Sequence, residues 1–503
     1  MPQKKTTISK KVSEETQIET FNIDKVNNFS EWFTEIVKRA ELADMRYNVK
    51  GFIVYPPWST ISMKLMFDIY EKELDKFGHQ PVIFPSVIPE SNFRVESDHV
   101  EGFAPEVFWI TSAGNSGLLE ERLALRPTSE TAMYPLYSLW IRSWRDLPLK
   151  RYQSGKVWRY EGKSTRPFIR GREFIWIEGH DVFATLEEAE AQTREDMQIS
   201  FNVIQDRFGI PFIGFQRPEW DKFAGAVHTY AADTLMPDGR FLQLPSTHLL
   251  GDNFSKAFNI EYMDEEGEKH YAYQTCYGPA ISRIFGAMVS VHGDDTGLIF
   301  PFETAPIQIV IIPILSKKQR TKVETYSKKL QEMLQEQGFR VHLDNSDKRP
   351  GEKYYFWEMK GIPIRLEIGR REVKNSQVTI FRRDTREKEI LDLTTLKESL
   401  NSIGQSLTQN LTAKAKKFFE DHLARADNID QLVEHLENKK MIKIPWCSID
   451  LDGEDCADEL KDEFAGAQVR GIDVREAEVP SGEQTCFICG KPAKCFVYVG
   501  KQY

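Results

Sequence analysis

Long apolar runs are the feature that this 503-residue sequence most clearly lacks. No run approaches the roughly 18–20 residues that a membrane-spanning helix needs, so we expect no membrane anchor. The opening stretch, MPQKKTTISKKVSEETQIET, also lacks the apolar segment of a secretion signal. We therefore expect residues 1–25 to form a disordered, solvated tail, with a weak nucleic-acid-binding arm as the alternative.

Cysteine is scarce, with six in the chain. Six cysteines without a secretion signal argue against a disulfide framework and for a reducing compartment. The expected location is therefore the cytoplasm.

An excess of positive charge is also missing, since the formal net charge is −10. The segment Cys447–Thr485 holds 12 acidic and 3 basic residues, a net of −9, which leaves −1 for the other 464 residues. This balance argues against indiscriminate binding of polyanions, but it leaves room for local basic faces elsewhere in the chain.

The stretch KVWRYEGKSTRPFIRGREFIWIEGH, residues 156–180, predicts two strands, Lys156–Glu161 and Arg172–His180, joined by a basic loop. Alternation places an aromatic plate, a carboxylate and an imidazole on one face of the second strand: Phe174, Trp176, Glu178 and His180. Such a face suits a small, flat, anionic ligand, and an ordinary solvated hairpin is the alternative. The pattern R-x-E, loop, R-E-F-x-W-x-E-G-H resembles motif 2 of class II aminoacyl-tRNA synthetases, in the version found in prolyl-tRNA synthetases.

Two further segments resemble the other motifs of that class. The predicted helix Ser59–Phe77 and strand Pro81–Phe84 resemble motif 1, which in the family forms a homodimer interface, although most helix–strand units are plain core. The run CYGPAISRIFGAM followed by HGDD, within residues 276–295, resembles motif 3. It places Arg283 in the first turn of a predicted helix, where an arginine and free backbone N–H groups can bind phosphate. A merely solvated arginine is the alternative.

The tripeptide Thr128-Ser129-Glu130 begins another predicted helix, and in isolation it is most simply a helix cap. In prolyl-tRNA synthetases the same tripeptide contacts the imino group of proline. A secondary ammonium has two N–H donors, and a hydroxyl oxygen and a carboxylate can accept their hydrogen bonds.

The resemblance implies two sets of site residues. The implied proline-binding residues are Thr128, Glu130, Arg159, Trp176, Glu178, His180, Phe223 and His248. The implied ATP-binding residues are Arg159, Glu161, Arg170, Phe174, Gln243, Ser246, Ser282 and Arg283. Arg159 and Arg283 are the expected catalytic residues, because cations must neutralise the charge that develops when a carboxylate attacks the α-phosphate. The family often has Thr before a Ser-His pair, whereas this chain has Ser246-Thr247-His248. Which hydroxyl contacts the ligand is therefore left open.

From residue 307 the pattern changes to βαβαβ, which favours a small sheet covered by helices. It resembles the anticodon-binding domain shared by several class II synthetases, and the implied anticodon contacts are Tyr354, Glu358, Arg365 and Arg371. Stacking rings and polar side chains are what unpaired bases require. The stretch Thr385–Leu423 is then expected to be a helical linker.

The C-terminal region holds a CxxC pair, Cys486 and Cys489, and a wider pair, Cys447 and Cys456. Together they predict a tetrahedral zinc site, although the C-x8-C spacing is wider than usual. A redox CxxC is the alternative, and no thioredoxin-like βαβ frame supports it.

The resemblance as a whole implies an α+β protein with an antiparallel-sheet catalytic domain at residues 26–302, an α/β anticodon-binding domain at 303–402 and a C-terminal α+β zinc domain at 403–503. The expected reaction is ATP-dependent attachment of L-proline to tRNA(Pro) through prolyl-adenylate, with Mg²⁺ and structural Zn²⁺. A threonyl-, glycyl- or histidyl-tRNA synthetase and a non-catalytic, tRNA-binding paralogue are the alternatives.

Overall fold

The computed structural model describes residues 21–97, 106–316, 318–476 and 478–503. Most of the expected N-terminal tail, residues 1–20, lies outside the described residues. Residues 21–25 were expected in that tail but pack on the protein, because Phe21 is buried and the backbone N–H of Lys25 donates to Asp295. Within the described ranges, no helix is both long and apolar enough to span a bilayer.

The first region combines a large sheet with helices on its faces. Its helices are α1 (Phe29–Arg39), α2 (Pro57–Lys76), α3 (Glu90–Ser97), α4 (Glu130–Trp140), α5 (Leu186–Ser200), α6 (Asn253–Phe258) and α7 (Ile281–His292). Its strands are β1 (Gln80–Pro81), β2 (Val87–Pro89), β3 (Trp109–Ser112), β4 (Leu118–Leu125), β5 (Leu149–Trp158), β6 (Glu173–Phe183), β7 (Ile213–Gln216), β8 (His228–Leu235), β9 (Phe241–Gly251), β10 (Glu261–Met263), β11 (Lys269–Tyr271) and β12 (Tyr273–Tyr277). In the large sheet the strand order is β1-β5-β6-β12-β9-β8-β7, antiparallel except for β1–β5.

Local sequence explains where several of these helices begin. The helix α5 starts at a capping box, in which the side chains of Thr185 and Glu188 each bind the other residue's backbone N–H. Pro57 occupies the first turn of α2, where its missing N–H costs no hydrogen bond. The main core lies between α1, α2, α7 and the large sheet, and it includes Trp32, Tyr70 and Phe285.

The second region is a five-stranded mixed sheet with helices packed on it. Its elements are β13 (Ile309–Pro313), α8 (Arg320–Glu336), β14 (Val341–Leu343), α9 (Pro350–Met359), β15 (Ile364–Ile368), α10 (Arg370–Asn375), β16 (Gln377–Arg382), β17 (Lys388–Asp392) and α11 (Leu396–Asp421). The strand order is β14-β13-β15-β16-β17, with β13 parallel to both neighbours. The βαβαβ prediction is therefore confirmed.

The prediction of a helical linker from Thr385 was wrong over its first part. Residues Lys388–Asp392 form β17, and all five of them pair with β16. The helix α11 begins later, at Leu396, and runs through the predicted domain boundary at residue 402 without a break.

The last region consists of β18 (Leu423–Arg425), α12 (Ile429–Glu437), β19 (Met441–Trp446), α13 (Glu454–Glu463), β20 (Gln468–Asp473) and β21 (Cys495–Gly500). Its strands extend the large sheet, because β20 pairs with β7 through Ile472 and Asp473, so that eleven strands of the described chain form one sheet. The junction requires glycine at Gly471, which has φ +122°, since a Cβ there would lie 2.0 Å from the carbonyl oxygen of Gln216.

Candidate active site

A cavity of about 280 Å³ opens on the face of the large sheet formed by β6, β9 and β12, beside the N-terminus of α7. Alternation on β6 turns Phe174, Trp176 and Glu178 towards this cavity, as the sequence pattern predicts, while Ile177 on the other face is buried in the core. The expected site residues in the cavity wall are Thr128, Glu130, Arg159, Phe174, Trp176, Glu178, Phe223, Gln243, Ser246, His248 and Arg283.

One end of the cavity is acidic. Thr128 Oγ1 lies within hydrogen-bonding distance of both Glu130 and Glu178, at 2.7 Å from Glu178 Oε1. Burial raises the pKa of Glu130. Burial would raise that of Glu178 too, but the neighbouring His180 and the hydroxyls of Ser129 and Thr128 outweigh it and lower the pKa.

The Thr128 hydroxyl lies between the two carboxyl groups. A hydroxyl has a single proton, so Thr128 cannot donate to both carboxylates at once. The lowered pKa of Glu178 makes its carboxylate the charged acceptor for Thr128, and the raised pKa of Glu130 favours the protonated form of that carboxyl group. A cationic ligand nitrogen entering this end would favour ionisation of Glu130, which gives it a charged partner.

The other end is basic and aromatic. The Arg159 guanidinium lies 5.3 Å from the ring centre of Phe174 and 5.2 Å from that of Trp176, and its Nε donates to the carbonyl oxygen of Pro127 at 3.0 Å. Arg283 donates to the carbonyl oxygens of Ile169 and Gln243, both at 3.2 Å. Burial, with Arg159 and Arg170 nearby, lowers the pKa of Arg283 to about 10, so it stays charged at neutral pH. This end therefore suits an anionic group.

His248 lies between the two ends and is neutral. Burial, followed by the charge of Arg159, lowers its pKa to about 3. Its Nδ1 lies 2.9 Å from Thr229 Oγ1, and its Nε2 lies 3.1 Å from Ser246 Oγ. Of the hydroxyls of Ser246 and Thr247, that of Ser246 faces the cavity, whereas Thr247 points to the opposite face of the sheet and donates to Asp196.

Four expected residues do not line the cavity. His180 shares the face of Glu178 but is covered by α4, where Tyr134 Oη lies 2.9 Å from its Nδ1. Ser282 is buried, with its Oγ against the backbone of Ile175. Glu161 and Arg170 lie outside the wall and 3.8 Å apart. Strand β5 ends at Trp158, so Arg159 and Glu161 follow the strand, whereas the predicted strand Lys156–Glu161 included them.

Several wall residues were not anticipated, among them Arg217, Lys222, Thr229 and Cys276. Cys276 lies in the wall because of its register, since it pairs with His180 on β6 and with His248 on β9, and the sequence does not show this pairing. No local signal marks Arg217, which precedes a proline and looks like an exposed residue in the sequence.

In the second region, three of the four expected anticodon residues lie together. The Arg365 guanidinium lies 3.9 Å from the ring centre of Tyr354 and 3.9 Å from that of Phe381. It also donates to Glu358 at 2.8 Å, and it is only 5% exposed. Arg371 lies on α10 and is exposed. Phe381, which is half-buried, is an aromatic neighbour that the sequence did not identify.

In the C-terminal region, the sulfur atoms of Cys447, Cys456, Cys486 and Cys489 all lie within 4.8 Å of one another. The Cys447 and Cys456 sulfurs are 3.7 Å apart, close to the roughly 3.8 Å edge of a tetrahedron with Zn–S bonds of about 2.3 Å. The wide spacing is compatible with one site because α13 brings Cys456 back to Cys447. The donor set therefore fits a structural zinc ion better than a two-cysteine redox pair.

Three family descriptions match successive parts of the chain. Residues 111–292 match "tRNA synthetase class II core domain (G, H, P, S and T)", residues 308–403 match "Anticodon binding domain", and residues 429–503 match "Prolyl-tRNA synthetase, C-terminal".

Whole-chain relatives agree with these matches. A proline--tRNA ligase of Thermofilum pendens is 50% identical over 96% of this chain and 98% of its own, and one of Methanopyrus kandleri is 41% identical over 94% and 96%. The solved prolyl-tRNA synthetase of Giardia lamblia, in complex with prolyl-adenylate, superposes with a TM-score of 0.91 at 35% identity, covering 96% of this chain and 100% of that one. That of Cryptosporidium parvum, complexed with halofuginone and AMPPNP, has a TM-score of 0.90 at 34% identity over 96% and 99%. By its fold and by its sequence along nearly its whole length, this chain belongs to the prolyl-tRNA synthetase family of class II aminoacyl-tRNA synthetases.

Proposed function

We propose that this chain attaches L-proline to tRNA(Pro) in two steps, first forming prolyl-adenylate from proline and ATP. The observation that carries the proposal is the polarity of the cavity. Its acidic end suits a secondary ammonium, its basic end suits an α-phosphate, and the two ends share one small chamber.

In the first step, Thr128 and Glu130 orient the proline nitrogen, and Trp176 and Phe223 enclose its ring. The proline carboxylate is already a nucleophile, so no general base is required. Arg159 neutralises the charge shared by the carboxylate and the α-phosphate, at a fixed position that needs no reorganisation during the reaction.

The nucleotide occupies the basic end. Phe174 provides a stacking face for adenine, Ser246 and Gln243 offer polar contacts, and Arg283 binds the distal phosphates with support from Arg170. Mg²⁺ would be held mainly by phosphate oxygens, with Glu161 as the candidate protein ligand, and it would neutralise phosphate charge.

Further assignments follow from the family. We assign adenylate chemistry to residues 26–302, anticodon recognition to 303–402 and the zinc site to 403–503. Tyr354, Glu358, Arg365 and Arg371 are the proposed anticodon contacts, and the four clustered cysteines are the proposed zinc ligands. Because Arg365 is nearly buried, it acts by holding Tyr354 and Glu358 in place as much as by touching a base.

A homodimer is the proposed assembly. The surface next to the motif 1 strand is apolar, with Ile83 99% exposed, Leu139 58% and Trp140 44%. These residues form one area, since Trp140 packs on Phe84 with ring centres 5.8 Å apart. Exposed apolar patches of this kind are typical of protein interfaces.

The test is ATP–pyrophosphate exchange with each of the twenty amino acids, followed by charging of tRNA(Pro). Proline should support exchange far better than threonine, glycine or histidine. Stronger exchange with one of those three would identify a related synthetase instead. Absence of exchange with every amino acid, with tRNA binding retained, would identify a non-catalytic paralogue.

A further inference from the structure

A buried cluster of charged residues connects the C-terminal region to the cavity. Arg217, Asp233 and Arg470 are each at most 3% exposed. The Asp233 carboxylate accepts from both arginines, with Oδ1 2.7 Å from Arg217 Nη2 and Oδ2 2.8 Å from Arg470 Nε. Arg217 Nη1 also donates to the backbone oxygen of Arg470 at 2.8 Å.

The three residues come from different parts of the chain. Arg217 follows β7, Asp233 lies on β8, and Arg470 lies on β20, next to the glycine that lets β20 join the large sheet. Arg470 also contacts Gln502 near the end of the chain. The C-terminal region therefore places a cation behind the wall of the cavity, because β20 pairs with β7 in the large sheet.

Arg217 fixes the orientation of Gln243, and both residues line the cavity. Arg217 Nη2 lies 3.1 Å from Gln243 Oε1. A guanidinium has only donors, so it must face the oxygen end of the amide, and the Nε2 end of Gln243 is the end left to donate to a ligand oxygen. The backbone oxygen of Gln243 accepts in turn from Arg283. One residue is thus held at both ends by arginines at the basic end of the cavity.

Among its buried members, the cluster has one more positive charge than negative charge. It contains two guanidinium groups and one fully buried carboxylate, and the Asp221 carboxylate is 3.9 Å from Arg217 Nε and 48% exposed. Without Arg470, the Asp233 carboxylate would attract only the Arg217 guanidinium. That attraction would draw Arg217 away from Gln243. With Arg470 present, Arg217 can serve both Asp233 and the amide.

We infer that Arg470 is a positioning residue for the nucleotide, acting through Asp233 and Arg217 to hold the Gln243 amide with its donors facing an oxygen of ATP. The inference rests on the proposed function, since it assumes that the basic end binds ATP. It makes the C-terminal region part of the nucleotide site rather than an appended domain. A bridge that only held the domains together would affect proline and ATP alike.

The test compares Arg470→Met with Arg475→Met in proline-dependent ATP–pyrophosphate exchange. Arg475 is five residues away on the same region, and its side chain is 49% exposed. We expect Arg470→Met to raise the KM for ATP about tenfold, the lower end of what loss of a hydrogen bond to a charged group costs. The KM for proline should stay within about twofold, and Arg475→Met should change neither constant.

A double variant tests the order of the contacts. Because Arg470 acts through Arg217, adding Arg470→Met to Arg217→Met should raise the KM for ATP by no more than about twofold beyond Arg217→Met alone. Independent, multiplying effects would overturn the inference. If Arg470→Met does not fold, Arg470→Lys, which keeps the charge but loses the planar fork, takes its place under the same criteria.

The two hypotheses fail differently. No proline-dependent exchange by the wild-type chain would overturn the proposed function. Normal exchange by the wild type, with an unchanged ATP KM in the Arg470 variant or an equal rise for proline and ATP, would overturn only the inference about Arg470.

Discussion

A buried ion pair behind the cavity should contribute stability that is lost between neutral and alkaline pH. His79 and Asp181 are fully buried, with His79 Nε2 2.9 Å from Asp181 Oδ2. Asp181 follows His180 on β6, so the pair lies on the sheet face opposite the cavity. Burial would lower the pKa of His79, but the Asp181 charge and hydrogen bond outweigh it and raise the pKa from 6.5 to about 9.

The sign and the size follow from proton linkage. A histidine whose pKa is raised on folding stabilises the folded state fully below its unfolded pKa of 6.5, and the contribution disappears as pH rises through about 9. A pKa difference of about 2.5 corresponds to about 3.5 kcal/mol, at about 1.4 kcal/mol for each pKa unit, and about 3 kcal/mol of this is lost between pH 6.5 and pH 9.5.

Another carboxyl group in the same cluster titrates mainly below pH 7 and so overlaps only the start of this window. Burial and the like charge of Asp181 raise the pKa of Asp196 to about 7. As pH rises, its contribution is lost mainly between about pH 4 and pH 7, and within this cluster the fall between pH 7 and 9 belongs to His79.

The assay is urea unfolding, followed by tryptophan fluorescence at several pH values from 6.5 to 9.5. The matched variant is His79→Gln combined with Asp181→Asn, because it removes the cation and its carboxylate together and leaves neither charge unpaired. Between pH 6.5 and pH 9.5, the free energy of unfolding of the wild type should fall by about 3 kcal/mol more than that of this variant. His270→Gln is the control, since His270 is 49% exposed and paired with Asp264 at the surface. Equal pH dependence in all three proteins would refute a charged His79.

Three further predictions concern chemistry, tRNA and metal. Arg159→Ala should lower exchange by about 10²–10³, and Lys should not restore it because the planar fork is lost; exchange within tenfold of wild type would contradict the assignment. Glu358→Ala should weaken charging of tRNA(Pro) while leaving tRNA-independent exchange unchanged, and equal losses in both assays would show a structural role. Metal analysis should find about one zinc per chain, lost in Cys486→Ser and kept in Cys495→Ser; zinc retained by the Cys486 variant would exclude the proposed ligand set.

Much of the cavity could be predicted from short-range sequence patterns. Alternation along residues 172–180 places Phe174, Trp176 and Glu178 on one face because strand geometry has a period of two, whatever surrounds the strand. The same rule includes His180, yet the structure covers it with Tyr134 from α4. Tertiary packing decides which helix covers each end of a strand. The sequence of the strand alone does not predict this.

The residues that sequence reasoning missed depend on long-range pairing. Arg217 meets Asp233 sixteen positions away and the backbone of Arg470 253 positions away. Nothing near Arg217 indicates that it is buried. For the same reason β17 was taken for part of a linker, because Lys388–Asp392 has a charged, weakly apolar sequence and becomes a strand only by pairing with β16.

The pairing of β7 with β20 has a consequence for the order in which the protein is made. Residue 213, where β7 begins, leaves the ribosome about 255 residues before residue 468, where β20 begins. At about 5–20 residues per second, the edge of β7 stays open for roughly 10–50 s of synthesis. An unpaired strand edge is a template for pairing with other chains. The nascent protein therefore passes through a period of exposure to aggregation that ends only when its last strands emerge, and shortening the chain at its C-terminus would make that exposure permanent.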